Sequence, residues 1–126
     1  MTRPTRPTQP TQPERPATTA APTVEHVADR HRYVVLVDGE RAGLTAYRDR
    51  GVQRVFFHTE IDDAFAGRGL AAQLVHAALT DVRASGMRVV PVCPYVAKYL
   101  ATHDEFDDII DPATPEAVRW LEAHLR

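Results

Sequence analysis

The spacing of apolar residues between positions 33 and 61 predicts three antiparallel strands. Residues 33–37 are apolar and largely β-branched, and the Asp38-Gly39 pair after them is typical of a two-residue hairpin turn. Residues 40–48 return as a second strand. A turn over residues 49–51 leads to the third strand, residues 52–61, in which apolar and polar positions alternate.

Alternation along the third strand predicts two faces. Four side chains face one way: Val55, Phe57, Thr59 and Ile61. Four face the other way: Arg54, Phe56, His58 and Glu60. His58 and Glu60 are therefore neighbours on one face and form a candidate general-base pair acting with a bridging water. The alternative is that His58 makes an ordinary polar contact on the sheet surface.

After residue 69 the spacing of apolar residues changes to the period of a helix. An apolar stripe predicts a helix over residues 70–85, and Gly86 is placed to end it. Residues 87–93 predict a fourth strand and residues 95–102 a short helix. The Thr114-Pro115-Glu116 run combines an N-cap, a proline at the first helical position and an early acid, and predicts a terminal helix.

Pro91 lies in the middle of the fourth predicted strand, although proline has no N–H to donate to a strand ladder. Two explanations are open. Either the segment lies on the edge of the sheet, or the neighbouring strand diverges from it at that point.

The first 23 residues differ in composition from the rest of the chain. Six of the ten prolines lie in the first 22 residues, and from Pro4 to Pro16 a proline recurs every third residue. Such a segment favours polyproline II structure without internal hydrogen bonds. We therefore predict a disordered Pro/Thr-rich tail over residues 1–23 and one folded domain over residues 24–126. PxxP segments can also dock in aromatic grooves, so a partner for the tail is the alternative to a solvated tail.

Composition excludes several classes of function. The tail lacks the apolar segment of a secretion signal, and its prolines are incompatible with an amphipathic transit helix. No apolar run approaches the length of a membrane span, and the single cysteine allows no internal disulfide. We expect a cytoplasmic protein that does not contact membranes. Acidic residues outnumber basic ones outside the tail, which indicates no nucleic-acid partner.

The clearest candidate binding feature is Ala66-Gly67-Arg68-Gly69-Leu70-Ala71, directly before the predicted helix. Glycines at a helix start let backbone amides approach an anion, and the helix dipole favours a phosphate there. The stretch also fits a dinucleotide fingerprint, but that motif directly follows a parallel strand. Here residues 62–66 intervene and the preceding strands are antiparallel, so the turn indicates a different phosphorylated cofactor.

Three segments, in order, resemble the GNAT N-acetyltransferases, and most of all their short, YjdJ-type members. They are FFHTEI (56–61), AGRGLAAQLVHAAL (66–79) and RVVPVCPYVAKYLATHDEF (88–106). The resemblance covers nearly all of residues 24–126. It implies an α/β fold, namely a mixed sheet with splayed central strands and flanking helices. It also implies transfer of an acetyl group from acetyl-CoA to an amine on a small molecule or a peptide.

The splay implied by the resemblance offers a reason for Pro91, because N–H groups at a splay have no neighbour to pair with. Two departures from the family accompany the match. Ala66 stands where the family motif has Arg or Gln, which removes a possible phosphate contact. The early helices that wall the acceptor site in the family are missing, which implies an open acceptor site.

The residue patterns and the resemblance together give the expected residues of the site. Nine positions are expected to bind the cofactor: Ile61, Gly67, Arg68, Gly69, Leu70, Ala71, Pro94, Tyr95 and Lys98. Four are expected to be catalytic: Cys93, His58, Glu60 and Tyr99. A tyrosine on this helix often protonates the departing CoA thiolate in the family, and Tyr99 matches its position more closely than Tyr95 does. The alternative is that either tyrosine simply packs in the core. His103 is expected to cap the short helix that carries Tyr99.

Cys93 has two interpretations. The match places it near the thioester, and the following helix N-terminus is a position that lowers the pKa of a thiol. Transient acylation of Cys93, or activation of the acceptor, is the functional interpretation. Packing as a small buried hydrophobe is the structural one. One cysteine and scattered histidines give no pair with zinc spacing, so no metal is expected.

A second class of function is the alternative to an enzyme. The chain is then a non-catalytic module that binds CoA or acyl-CoA, or an adaptor whose partner docks on the proline-rich tail. The acidic residues between 104 and 111 either attract a cationic amine or form a solvated surface.

Overall fold

The computed structural model describes residues 21–125, which form a five-stranded mixed sheet flanked by helices. The strands are β1 (Thr23–Val27), β2 (Arg32–Val37), β3 (Glu40–Arg50), β4 (Gln53–Ile61) and β5 (Arg88–Pro91). They follow one another in the sheet in chain order. Neighbours are antiparallel except for β4 and β5, which are parallel. The predicted α/β fold class is confirmed.

Strand β1 is not predicted by the sequence pattern. It begins at Thr23, the last residue assigned to the tail, which pairs with Leu36 of β2. Its exposure alternates only weakly because it lies at the edge of the sheet, so its five residues carry little apolar periodicity. The prediction for the tail over residues 1–20 lies outside the described residues.

Three α-helices complete the fold: α1 (Leu70–Ala84), α2 (Pro94–Thr102) and α3 (Pro115–His124). Helix α1 is the crossover that the parallel pair β4 and β5 requires. The residue after it, Ser85, is followed by Gly86 at φ +72°, the left-handed conformation that a helix end favours. Thr114 caps α3, and its side-chain oxygen accepts a hydrogen bond from the Ala117 amide at 3.1 Å. All three predicted helices are confirmed.

The two faces of the sheet have different cores. Helices α1 and α2 pack on one face, where Val35, Phe56 and Val89 of the strands meet Leu74 and Val96 of the helices. On the other face α3 covers only the end of the sheet formed by β4 and β5: the buried residues there are Val55, Val90, Ala117 and Leu121.

A β-bulge in β4 corrects the predicted alternation. Ala46 pairs with His58 and Tyr47 with Phe56, so Phe57 is an extra residue in β4. The strict two-face prediction is therefore wrong beyond Phe57, because the bulge shifts the phase by one residue. Four side chains point toward α1 and α2: Arg54, Phe56, Thr59 and Ile61. His58 and Glu60 lie on the opposite face.

The gap between β4 and β5 begins where Pro91 ends β5. The last paired residues are Phe56 and Pro91, and the last link is the Cys93 amide, which donates to the Phe56 carbonyl at 2.8 Å. Strand β4 then continues to Ile61 without β5 beside it. The structure therefore contains a diverging parallel pair.

The position of this pair differs from the expected central one, because β5 is the last strand in the order of the described sheet. The Arg88 amide donates to the Val52 carbonyl beside β4, and alternation then directs the Pro91 nitrogen outward. The isolated parallel bridge between Val89 and Ile110 on the outer side of β5 does not extend to Pro91. The Pro91 nitrogen therefore faces no strand partner among residues 21–125, and this position, rather than the splay, explains why a proline is tolerated here.

Candidate functional site

The glycine turn before α1 is held by left-handed backbone. Gly67 has φ +81° and Gly69, the N-cap of α1, has φ +71°. A Cβ built on either glycine has no heavy atom within 4 Å, so the space above the turn is open. Both positions need glycine for backbone conformation and leave room for a ligand.

The amides of this turn are available. Within the described residues, none of the backbone amides from Gly67 to Ala72 donates a backbone hydrogen bond. They lie at the positive end of the α1 dipole, where an anion is stabilised. The Arg68 guanidinium lies 5.3 Å from the centre of the Phe65 ring, at the start of the same turn. The amides of the predicted residues 67–71 therefore have no backbone acceptor in the described part of the chain.

A groove between α1 and α2 leads away from this turn. Its narrower part has a volume of about 230 Å³. The residues lining it are Ala72, Tyr95, Lys98, Tyr99, Thr102 and His103. A wider part of about 590 Å³ continues from it past Gln73 and His76 to Val24 of β1. Tyr95 and Lys98 thus line the same groove as Ala72 in the first turn of α1.

Tyr99 lies at the junction of the two parts of the groove. Its hydroxyl is 3.1 Å from His76 Nδ1, and its ring stacks on His103 with 4.0 Å between ring centres. Burial, and then the negative charge of Glu105, raise the pKa of Tyr99 above its usual value. The phenol therefore stays protonated at neutral pH. His103 Nδ1 lies 2.9 Å from the Tyr99 carbonyl, a geometry that caps the end of α2.

His76 is a groove residue that sequence reasoning missed. It falls on the polar stripe of α1, which predicts a solvent-facing side chain. The signal that could have identified it lies on another helix, because its partner Tyr99 is on α2. His76 also lies 3.8 Å from Glu105 and edge-on to the Phe106 ring.

Cys93 lies at the opening between β4 and β5. Its side chain is buried, with 3% of the residue exposed, and its Sγ lies 3.4 Å from Thr59 Oγ1. Pro94 follows as the first residue of α2. Ile61, at the end of β4, packs against the same core. Cys93 and Ile61 therefore both lie on the α1 side of the β4 strand.

His58 and Glu60 form a direct pair rather than one bridged by water. His58 Nε2 lies 2.7 Å from Glu60 Oε1, and both side chains are about half exposed. The hydrogen bond from His58 holds the pKa of Glu60 below its usual range. The pair lies on the face of β4 opposite to Cys93, so the structure separates these predicted catalytic residues by the thickness of the sheet.

Two of the acidic residues after α2 pair closely within the protein. Asp108 forms an ion pair with Arg83 of α1, and Asp111 accepts hydrogen bonds from Arg88 and Gln53. Between residues 21 and 125, no three His, Cys, Asp or Glu side chains come together in a way that could hold a metal ion. None of the helices in the described range is long and apolar enough to cross a membrane.

Comparison with known proteins agrees with this geometry. Residues 32–109 match the GCN5-related N-acetyl-transferase family. Protein NATD1 of Xenopus tropicalis is 38% identical over 80 residues, which cover 61% of this chain and 72% of the relative. The human protein NATD1 is also 38% identical over 80 residues, which cover 61% of this chain and 70% of that relative.

A solved structure shows the same fold. The solution structure of a GCN5-like protein from Staphylococcus aureus superposes with a TM-score of 0.57 at 15% identity. The match covers 74% of this chain and 91% of that protein. Because the family match spans β2 to α2 and the segment after it, it includes the glycine turn, Cys93 and the His58–Glu60 pair. The chain belongs to the GCN5-related N-acetyltransferase family and is by family an acyltransferase.

Proposed function

We propose that the protein binds acetyl-CoA and transfers the acetyl group to a primary amine in the cytoplasm. One observation carries the proposal. A turn of unused amides at the start of α1 adjoins a groove on the same side of the sheet as the gap between β4 and β5. An anionic cofactor with a long flexible arm fits this combination.

The amides of residues 67–71 hold the cofactor pyrophosphate in this proposal. Backbone donors at a helix start bind phosphate without a cationic side chain. This accommodates Ala66, which cannot replace the Arg or Gln of the family motif. Arg68 and Lys98 are cations beside the turn and in the groove, respectively, where they add long-range attraction for phosphate.

The acceptor amine approaches from the face that carries His58 and Glu60. Bound acetyl-CoA supplies an activated acetyl thioester in the gap between β4 and β5. The amine nitrogen forms the new C–N bond as the C–S bond breaks, and His58, oriented by Glu60, takes the proton from the amine. The CoA thiolate takes up a proton from solvent in this proposal, and Tyr99 is not required as the general acid.

Direct transfer is preferred over an acyl-cysteine route. Cys93 is buried and held beside Thr59, on the face opposite to the pair that accepts the proton. In the proposal it lines the gap without being acylated.

Release of the CoA thiol tests the proposal. The full chain is mixed with acetyl-CoA and a panel of primary amines, and free thiol is measured. We expect amine-dependent release that falls by roughly 100-fold or more in His58→Gln, the scale of a general base. His124→Gln, an exposed histidine of α3 on another part of the surface, is the matched control. Absence of amine-dependent release would contradict the proposed transfer and leave the non-catalytic CoA-binding module.

A further inference from the structure

A row of three polar side chains, Thr45, Thr59 and Cys93, runs from the interior of the sheet to the gap between β4 and β5. Thr45 Oγ1 of β3 lies 2.9 Å from Thr59 Oγ1 of β4, and Thr59 Oγ1 lies 3.4 Å from Cys93 Sγ. The Thr45 hydroxyl also lies 3.3 Å from the His58 carbonyl oxygen, which can only accept. This polar row therefore ends where the acetyl thioester is proposed to bind.

The members of the polar row differ in how far they are buried. Thr45 is 0% exposed and Cys93 is 3% exposed, whereas Thr59 is only partly buried. Thr59 follows Phe56, the last residue of β4 that pairs with β5, so it borders the gap. A buried hydroxyl is costly unless it is hydrogen-bonded, which explains the contacts of Thr45. Thr59 is the member of the row that a ligand in the gap can reach.

The β-bulge at Phe57 brings Thr59 into the polar row. In a regular strand Thr59 would share a face with Val55, on the side of the sheet away from Cys93, because side chains alternate. The extra residue reverses the phase, and Thr59 then pairs with Thr45 on the side of α1 and α2. Bulges next to active sites re-aim a side chain in this way.

The two hydroxyls of the row have one hydrogen each, which allows two arrangements. In the first, Thr45 donates to the His58 carbonyl and Thr59 donates to Thr45. In the second, Thr45 donates to Thr59, and the Thr59 hydrogen is directed to a sulfur atom. The exchange gives up only the 3.3 Å contact, which is longer than a normal O–H···O hydrogen bond. Thr59 can therefore turn its hydrogen to a sulfur at little cost.

We propose that the Thr59 hydroxyl donates a hydrogen bond to the CoA sulfur as the thioester is cleaved, and that Thr45 positions it. The inference rests on the proposed function, because attack by the amine produces the negative charge on the sulfur. As the C–N bond forms, the electron pair of the C–S bond goes to the sulfur. Thr59 stabilises this thiolate and keeps its own proton, and solvent then protonates the thiolate. Because hydrogen bonds to a charged acceptor are roughly twice as strong as neutral ones, the thiolate is favoured over the thioester.

Kinetics of threonine variants test this hydrogen bond. Thr59→Val removes the hydroxyl and should lower kcat by about 10- to 100-fold, the range for one hydrogen bond to a charged group. KM for acetyl-CoA should stay within about threefold, since the interaction is made mainly in the transition state. Thr59→Ser keeps the hydroxyl and should retain most of kcat. Thr45→Val leaves the donor in place and should lower kcat by less than Thr59→Val does. Thr23→Val, in the edge strand β1, is the matched control and should keep full activity.

The affinity for CoA provides a readout that does not depend on turnover. Calorimetric titrations of the full chain compare CoA with desulfo-CoA, which lacks the sulfur, from pH 7 to about pH 9.5, the range in which a thiol ionises. The preference for CoA should rise with pH by at least about tenfold in the unmodified protein and in Thr59→Ser. Thr59→Val should lose this rise but bind desulfo-CoA unchanged, which shows that it is folded. The titratable groups at the gap and in the groove, such as Cys93, Lys98 and Tyr99, are present with both ligands, so their ionisation cancels.

The outcomes separate the inference from the proposed function. Equal kcat and equal pH dependence in Thr59→Val and the unmodified protein would overturn the inference and keep the proposed transfer. An equal loss in Thr59→Val and Thr59→Ser would also overturn it, because packing then explains both. A pH-dependent preference for CoA that requires Thr59, without acetylation of any amine, would support the hydrogen bond to the sulfur and contradict the proposed transfer. Absence of CoA binding would overturn both.

Discussion

The His76 imidazole on α1 lies 3.1 Å from the Tyr99 hydroxyl on α2, and this contact links the two walls of the candidate cofactor groove. The resemblance to GNAT enzymes implies that Tyr99 protonates the departing thiolate. The contact with His76 instead directs the phenol across the groove. Tyr99 thus helps to fix the shape of the groove through this contact, and that contribution is separable from proton transfer.

Replacing Tyr99 by Phe distinguishes these two roles. We expect Tyr99→Phe to raise KM for acetyl-CoA while kcat stays within about threefold, since a general acid is worth at least about 100-fold. Steady-state kinetics at several acetyl-CoA concentrations measures kcat and KM separately. A fall in kcat of about 100-fold with unchanged KM would assign Tyr99 as the general acid.

Replacing Cys93 by Ser tests direct transfer. Serine is nearly isosteric and keeps a polar atom near Thr59 Oγ1, so we expect turnover within about tenfold of the unmodified enzyme. Mass spectrometry of the enzyme after acetyl-CoA is added without an acceptor should show no acetyl group on Cys93. An acetylated Cys93 together with an inactive serine variant would establish the acyl-cysteine route instead.

His26 predicts a pH-dependent stability at the other end of the sheet. Its ring stacks on Tyr33 with 4.3 Å between ring centres, and burial and then the charge of Arg54 lower its pKa from 6.5. Asp81 and Asp49 partly oppose this shift. The folded state therefore binds a proton on His26 less readily than the unfolded state, so this contribution to stability is complete above pH 6.5. It is lost as the pH falls from 6.5 toward the lowered pKa.

Urea unfolding between pH 5 and 7.5 measures this effect. The unmodified protein should lose stability as the pH falls through this range, and His26→Gln should show a smaller slope. Glutamine cannot titrate but retains a polar group near the Tyr47 hydroxyl, which lies 2.5 Å from His26 Nε2. His124→Gln, on the exposed side of α3, should retain the original slope. Equal slopes in the unmodified protein and His26→Gln would contradict the assignment.

The sequence predicts most of the fold because its elements have clear local signals. The hairpin turn at Asp38-Gly39, the apolar stripe of α1 and the Thr114 cap each depend on a few adjacent residues. The glycine turn is local in the same way. Glycine is the residue type that permits the positive φ angles found at Gly67 and Gly69.

The features that sequence reasoning missed depend on contacts between distant segments. The bulge at Phe57 arises from the register of β4 against β3, and it moves Thr59 to the face of Cys93. The His76–Tyr99 contact depends on how two helices pack, which no helical period specifies. Strand β1 becomes visible only through its pairing with β2.

The central claim is that the glycine turn before α1 holds the pyrophosphate of acetyl-CoA. Gly69→Glu places a carboxylate in the open space above the turn, where it repels a phosphate. Gly86→Glu is the matched control, because Gly86 lies just beyond the other end of the same helix. Its φ of +72° nearly equals the +71° of Gly69, and a Cβ has no heavy atom within 4 Å at either position. A glutamate is less favourable at the C-terminal end of a helix than at its start, so Gly86→Glu is not expected to be more stable than Gly69→Glu. Binding retained by the control therefore cannot be explained by a more stable fold.

The most direct measurement is a calorimetric titration of acetyl-CoA into the full chain and these two variants. The account predicts saturable binding by the unmodified protein and by Gly86→Glu. It predicts a loss of about 100-fold or more in Gly69→Glu, because like charges brought together cost several kcal/mol. Binding that survives in Gly69→Glu, or that is absent from the unmodified protein, would contradict the claim.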